Sequence, residues 1–136
     1  MFLADTDLIS EPRQKKPNLR VLDWLREHDH ELFLSATTVG EIKKGIELYP
    51  DSRKKIELSA WLEGLLEDFA GCVLSFTEAE ALAWGKLYAT TQKAGRKPPG
   101  FDSLNAAIAL HHQLTLVTRN ETDYTGTGVK IINPWK

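Results

Sequence analysis

The chain has 136 residues, a formal net charge of −2, 42% hydrophobic residues and 26% charged ones. This is the size of one ordinary domain, expected to bury roughly two-thirds of its unfolded surface without staples. The balance excludes a disordered chain, and the charge argues against a surface coated in basic residues for nucleic-acid binding.

Met1 to Ala4 lead directly into Asp5, so no signal-peptide apolar region is expected. Phe2 to Asp5 reads as a short buried strand. Arg13 to Asn18, with Pro17 and three cations, reads as a loop. Leu19, Val21, Leu22 and Leu25 give one apolar face of a helix ending near His28, and Leu32 to Ser35 is a second strand. Thr38 and Glu41 have capping-box spacing, predicting a helix start there and an end before Pro50. Residues 53 to 69 carry Ile56, Trp61, Leu62, Leu65, Leu66 and Phe69 at helical spacing, and Cys72 to Leu74 is a third apolar run. Thr77 and Glu80 repeat the capping-box pattern before a helix that Gly95 can stop. A basic, proline-rich loop, Arg96 to Gly100, precedes an Ala-rich helix over residues 102 to 112. The strand Thr115 to Val117 and a last short strand, Ile131 and Ile132, complete the order. No apolar run approaches the ~18 residues of a membrane span. Cys72 is the only cysteine, so no internal disulfide can form and a reducing, cytoplasmic setting is expected.

Strands and helices alternate, and the strands are continuous apolar runs. The expected fold is a single α/β domain over residues 1–136, a three-layer α/β/α sandwich around a central, mostly parallel sheet. Ligands of such sheets sit outside the carboxyl ends of the strands. Asp5, Glu41, Asp102 and Asp123 all fall at such places. Each has an ordinary reading alone: a strand end for Asp5, a cap for Glu41, a helix-dipole acid for Asp102, an Asx turn for Asp123. Their joint placement carries more. Two carboxylates ~4 Å apart repel by roughly 4 kcal/mol at an effective dielectric of 20, so a cluster must take up protons or cations. Oxygen ligands without cysteine or paired histidine favour Mg²⁺ or Mn²⁺, and such ions suit phosphodiester hydrolysis.

Four segments resemble the VapC branch of the PIN-domain nucleases, including its FitB-like members. They are Leu3-Ala4-Asp5-Thr6-Asp7-Leu8-Ile9-Ser10-Glu11, Ser35-Ala36-Thr37-Thr38-Val39-Gly40-Glu41-Ile42, Phe101-Asp102-Ser103-Leu104-Asn105-Ala106-Ala107-Ile108-Ala109 and Leu116-Val117-Thr118-Arg119-Asn120-Glu121-Thr122-Asp123-Tyr124. They occur in family order and span nearly the whole chain. The resemblance implies Asp5, Glu41, Asp102 and Asp123 as metal-site acids, Thr6 and Thr118 as supporting hydroxyls, and Asn120 as a supporting or substrate-facing amide. It also implies a toxin ribonuclease acting on structured RNA such as tRNA or rRNA and leaving a 5′-phosphate, a homodimer, and a small antitoxin partner. Asp7 stands where asparagine is commoner, and Asn105 replaces a usually apolar residue; both are secondary site candidates.

Arg119, Arg96 and Lys97 are candidates for phosphate contact. Arg13, Lys15 and Lys16 read as a flexible solvated loop, and His111 and His112, lacking i, i+4 spacing, as surface histidines. Two rival readings are open from the residues alone. Asp5-Thr6-Asp7-Leu8-Ile9 partly fits a haloacid-dehalogenase-type nucleophile motif with Asp5 attacking, although Ile9 fails its last position. A receiver-like or non-catalytic PIN-derived module is the other, but Ser75-Phe76 follow the third apolar run where a receiver needs an acid.

Overall fold

A computed structural model describes residues 1–136. Five strands form one all-parallel sheet: β1 (Phe2–Ala4), β2 (Leu32–Ser35), β3 (Val73–Leu74), β4 (Thr115–Val117) and β5 (Ile131–Ile132), in the order β3-β2-β1-β4-β5. Six helices, α1 (Thr6–Ser10), α2 (Leu19–His28), α3 (Ala36–Glu47), α4 (Arg53–Asp68), α5 (Glu78–Lys93) and α6 (Gly100–His111), accompany it. No helix is long and apolar enough to cross a membrane.

The layers follow from the period of two along each strand. Ala4, Leu34 and Val117 point to one core with Leu8, Val21, Ile42, Ile46, Leu58 and Leu62, the inward residues of α1 to α4. Leu3 and Leu116 point to the other, with Leu87 of α5 and Ala106, Ile108 and Ala109 of α6. A strand buried on both faces has no polar side, which is why these strands read as continuous apolar runs. Phe2 meets Trp24 edge-on at 5.1 Å, and Trp24 stacks on His28 at 4.4 Å, holding α2 against β1, the central strand.

The helix starts are chemically explicit. The Asn18 side chain accepts the Arg20 N–H at 2.9 Å, and the Ser52 hydroxyl accepts the Lys55 N–H at 3.2 Å. The capping box at α5 forms, the Thr77 N–H donating to Glu80 at 2.8 Å. Gly95 follows α5 with φ +82°, the left-handed conformation that only glycine adopts without penalty. The expected capping box at Thr38 and Glu41 does not form. Ser35, the last residue of β2, caps α3 by accepting the Thr38 N–H at 3.1 Å, so the cap lies three residues earlier. Thr38 is buried inside α3, and Glu41 sits in its second turn instead of the first.

The strand order puts a topological switch point between β1 and β4. After β1 the chain builds outward through β2 and β3, then returns past β1 to form β4 and β5. The segments leaving β1 and β4 diverge there and open a crevice at the carboxyl ends of the strands. Since β3 is an edge strand, an acceptor following it would lie away from this crevice, which removes the receiver-like arrangement.

Candidate active site

Asp5 leaves β1 directly into the crevice. Only 6% exposed, it caps α1 through the Leu8 N–H, which donates to Oδ1 at 2.9 Å. One turn of α1 then presents Thr6 and Asp7. The Thr6 hydroxyl donates to Glu41 Oε1 at 2.8 Å, tying α1 to α3. Asp7 accepts the Asn120 amide at 2.9 Å, tying α1 to the loop after β4. Thr118, fully buried at the end of β4, hydrogen-bonds Asp5 with its side chain and accepts the Asn120 N–H at 3.0 Å.

The remaining acids arrive from α6 and from a 3₁₀ turn, Glu121–Tyr124, that follows β4. Asp102 lies in the first turn of α6, and Tyr124 donates its phenol to Asp102 Oδ1 at 3.1 Å. Asp102 feels the charges of Asp123 and Glu41, and Asp5 feels those of Asp7 and Asp102. The four acids singled out from the sequence are therefore brought into one electrostatic cluster, with Asp7 at its rim.

Burial pushes the Asp5 carboxyl from its ordinary 3.8 up to about 6, with the Asp7 and Asp102 charges adding to it and the Thr118 and Leu8 hydrogen bonds opposing. Asp102 is likewise pushed to about 6, first by burial and then by Asp123 and Glu41, against the Tyr124 hydrogen bond. Burial and the surrounding carboxylates push the Tyr124 phenol far above its ordinary range, so it stays protonated and keeps a proton to donate to Asp102. Tyr124 was not singled out from the sequence as a site residue; its position next to Asp123 was the only signal.

Asn105 does not extend the acidic face. It is 3% exposed, and its Oδ1 accepts the Ser35 hydroxyl at 2.6 Å and the Thr37 hydroxyl at 2.8 Å, while its amide donates to Thr38 at 3.2 Å. It thus buttresses the cap of α3, the helix that carries Glu41. Asn105→Ala is expected to lower stability by about 2 kcal/mol, the penalty for leaving buried hydroxyls without their acceptor, as read by denaturant unfolding. Arg96 packs over Gly126, where an added Cβ would meet its side chain at 3.5 Å, and neither Arg96 nor Lys97 pairs with the cluster. Arg119 is exposed, between Thr118 and Asn120, with its guanidinium 5.2 Å from the Trp135 ring centroid.

An all-oxygen set of clustered carboxylates, two of them raised well above their ordinary range by burial and by their acidic neighbours, fits a hard divalent cation. No cysteine or histidine contributes to it. The structure does bring histidines and an acid together elsewhere: His112 lies 3.1 Å from Glu80 Oε1, and Glu80, His111 and His112 offer ligand atoms within 4.8 Å of one another. Both histidines are exposed, as expected, and His112 also ties the end of α6 to Glu80 of α5.

The PIN domain family matches residues 2–124. Plasmid stability protein StbB of Pseudomonas syringae pv. tomato is 40% identical over 138 residues, covering 100% of this chain and 99% of the relative. Toxin FitB of Neisseria gonorrhoeae is 36% identical over 99% of both chains. VapC ribonuclease Y4jK of Sinorhizobium fredii is 33% identical, over 100% of this chain and 99% of its own. The crystal structure of FitAcB from Neisseria gonorrhoeae superimposes with a TM-score of 0.92, at 36% identity and 99% coverage of both chains.

Proposed function

Because the chain belongs to the PIN-domain family, we propose that it is a metal-dependent endoribonuclease and the toxin of a type II toxin–antitoxin pair, residues 1–136 acting as one nuclease domain in the cytoplasm. The observation that carries this reading is the convergence of Asp5, Glu41, Asp102 and Asp123, from four separate elements, at the β1/β4 switch point.

These four carboxylates would hold Mg²⁺ or Mn²⁺. A bound divalent cation supplies Lewis acidity and charge neutralisation for hydrolysis of an RNA phosphodiester. The chain's own groups supply position. Thr6 fixes the rotamer of Glu41, and Thr118 with the Leu8 N–H fixes Asp5. Tyr124 orients Asp102. Asn120 aligns Asp7 at the rim, facing substrate, and Asn105 supports from behind α3. Arg119 is placed for a phosphate of the RNA, with Arg96 and Lys97 as more distant cations.

A homodimer and a small antitoxin that plugs the site complete the reading. Names such as Toxin FitB and VapC ribonuclease among the relatives support it, as do the exposed apolar side chains Leu48, Ile56 and Leu82, at 77%, 72% and 70% exposure. The RNA class, tRNA or rRNA, follows from the resemblance alone.

The chemistry is checked by the product ends. Attack by water leaves a 5′-phosphate and a 3′-hydroxyl, whereas attack by the RNA's own 2′-hydroxyl leaves a 2′,3′-cyclic phosphate. We expect 5′-phosphate ends, formed with Mg²⁺ or Mn²⁺ and absent with EDTA; cyclic phosphate formed with EDTA present would overturn the reading.

A further inference from the structure

A groove of about 820 Å³ opens at Arg119, lined also by Glu11, Lys15, Lys16 and Asn18 from the segment after α1 and by Trp135. The basic stretch between α1 and α2 reads as solvated loop from sequence, yet both of its ends are fastened. Glu11, only 7% exposed, accepts the Asn18 N–H at 2.9 Å, and Asn18 in turn caps α2. Arg13 lies 4.9 Å from the Trp61 ring centroid, held against the body of the domain. Lys15 and Lys16 are thereby carried on a short closed span that directs them into the groove with Arg119, whose guanidinium the Trp135 ring supports.

None of these three cations has an acidic partner; the ion pairs of the chain involve Arg26, His30, Lys43, Lys55, His112 and Lys136 instead. Against these three cations the groove holds one carboxylate, Glu11, which accepts the Asn18 N–H, so the groove is net positive and favours an anion. The groove also adjoins the carboxylate cluster. Arg119 is flanked by Thr118, which bonds Asp5, and by Asn120, which bonds Asp7. A polymer whose scissile phosphate lies at the cluster must continue past its rim, and here its neighbouring phosphates would meet positive charge.

We propose that Lys15, Lys16 and Arg119 bind the backbone phosphates of single-stranded RNA flanking the scissile bond, independently of base sequence. The proposal rests on the ribonuclease reading and adds the path of its substrate. The probe is a fluorescein-labelled single-stranded oligoribonucleotide. Its binding is measured by anisotropy in EDTA over a salt series, and its cleavage by steady-state kinetics with Mg²⁺ or Mn²⁺. In the K15A/K16A/R119A variant, KM is expected to rise about tenfold or more with little change in kcat, and the slope of log K against log salt to fall by about 2, at ~0.7 per lost phosphate contact. K15R/K16R should retain binding, since only charge is required, and thermal melts check that the surface variants stay folded. An unchanged KM and salt slope in a triple variant that remains folded would overturn the proposal. So would a loss confined to a protein partner with RNA binding intact. A wild-type protein that neither binds nor cleaves RNA would instead fail the ribonuclease reading, and the groove's assignment with it.

Discussion

Asp5→Asn is expected to lower RNA cleavage by about three orders of magnitude, because a divalent cation supplies several kcal/mol of charge stabilisation and about 1.4 kcal/mol corresponds to a tenfold rate. The same substitution should leave the fold intact. Asparagine keeps an oxygen for the Leu8 N–H, so the cap of α1 survives, and it removes a charge from a position only 6% exposed. The metal-free variant is therefore expected to melt at or above the parent temperature. Asp5→Ala separates the two effects: it loses the cap, worth about 1 kcal/mol, as well as the ligand. Single-turnover cleavage and thermal melts of all three proteins read the result, and full activity in Asp5→Asn would remove Asp5 from the site.

The second large effect is a reciprocal dependence of stability on pH and cation. Asp5 and Asp102 have folded values near 6 against an ordinary 3.8, so between these limits the folded state holds protons that the unfolded chain has released. Stability of the metal-free protein should thus fall as pH rises from about 4 through 6 and stay low above it. For Asp5 the interval of about two pH units corresponds to at most about 3 kcal/mol, and the half-buried Asp102 adds less. Glu80 runs the other way. Hydrogen bonds from Thr77 hold it down to about 2, so its contribution is complete above 4.5 and is lost as pH falls toward 2. The metal-free protein should be most stable near pH 4, where these opposing slopes cancel. At pH 7 to 8, Mg²⁺ or Mn²⁺ at a hundred times its dissociation constant should add about 2.7 kcal/mol, or several degrees in melting temperature, and this gain should shrink at pH 5 where protons compete. Scanning calorimetry with EDTA and with added cation checks it. A melting temperature that drops steadily from pH 7 to 5 in EDTA and ignores cations at pH 7 would contradict the cluster electrostatics.

The layers of this fold are legible in its sequence because burial on both faces leaves a plain mark. Phe2 to Ala4, Leu32 to Ser35 and Thr115 to Val117 are too short and too uniformly apolar to be anything but strands of a covered sheet. The acids were legible for a related reason: a charge directly after such a run, as at Asp5, has few structural explanations. What escaped was short or long-range. α1 is five residues, too few for a helical period to show. The cap of α3 is Ser35 because β2 passes into the helix without a linker, so the better-looking Thr38 and Glu41 pair lies already inside it, freeing Glu41 for Thr6. Asn105 and Ser35 are separated by 70 residues, and Glu80 and His112 by 32, so no local pattern announces either contact. The order of Lys15 and Lys16 depends on Glu11 turning inward, which its neighbours Ser10 and Pro12 do not reveal.

We propose that Asp5, Glu41, Asp102 and Asp123 form one metal-dependent ribonuclease centre. Its most direct test is incubation of purified, antitoxin-free protein with total cellular RNA and Mg²⁺ or Mn²⁺, beside an EDTA control and Asp5→Asn purified identically. Discrete fragments that vanish in both controls are the expected result. No cleavage by folded protein, or fragments that persist with EDTA and with Asp5→Asn, would contradict it.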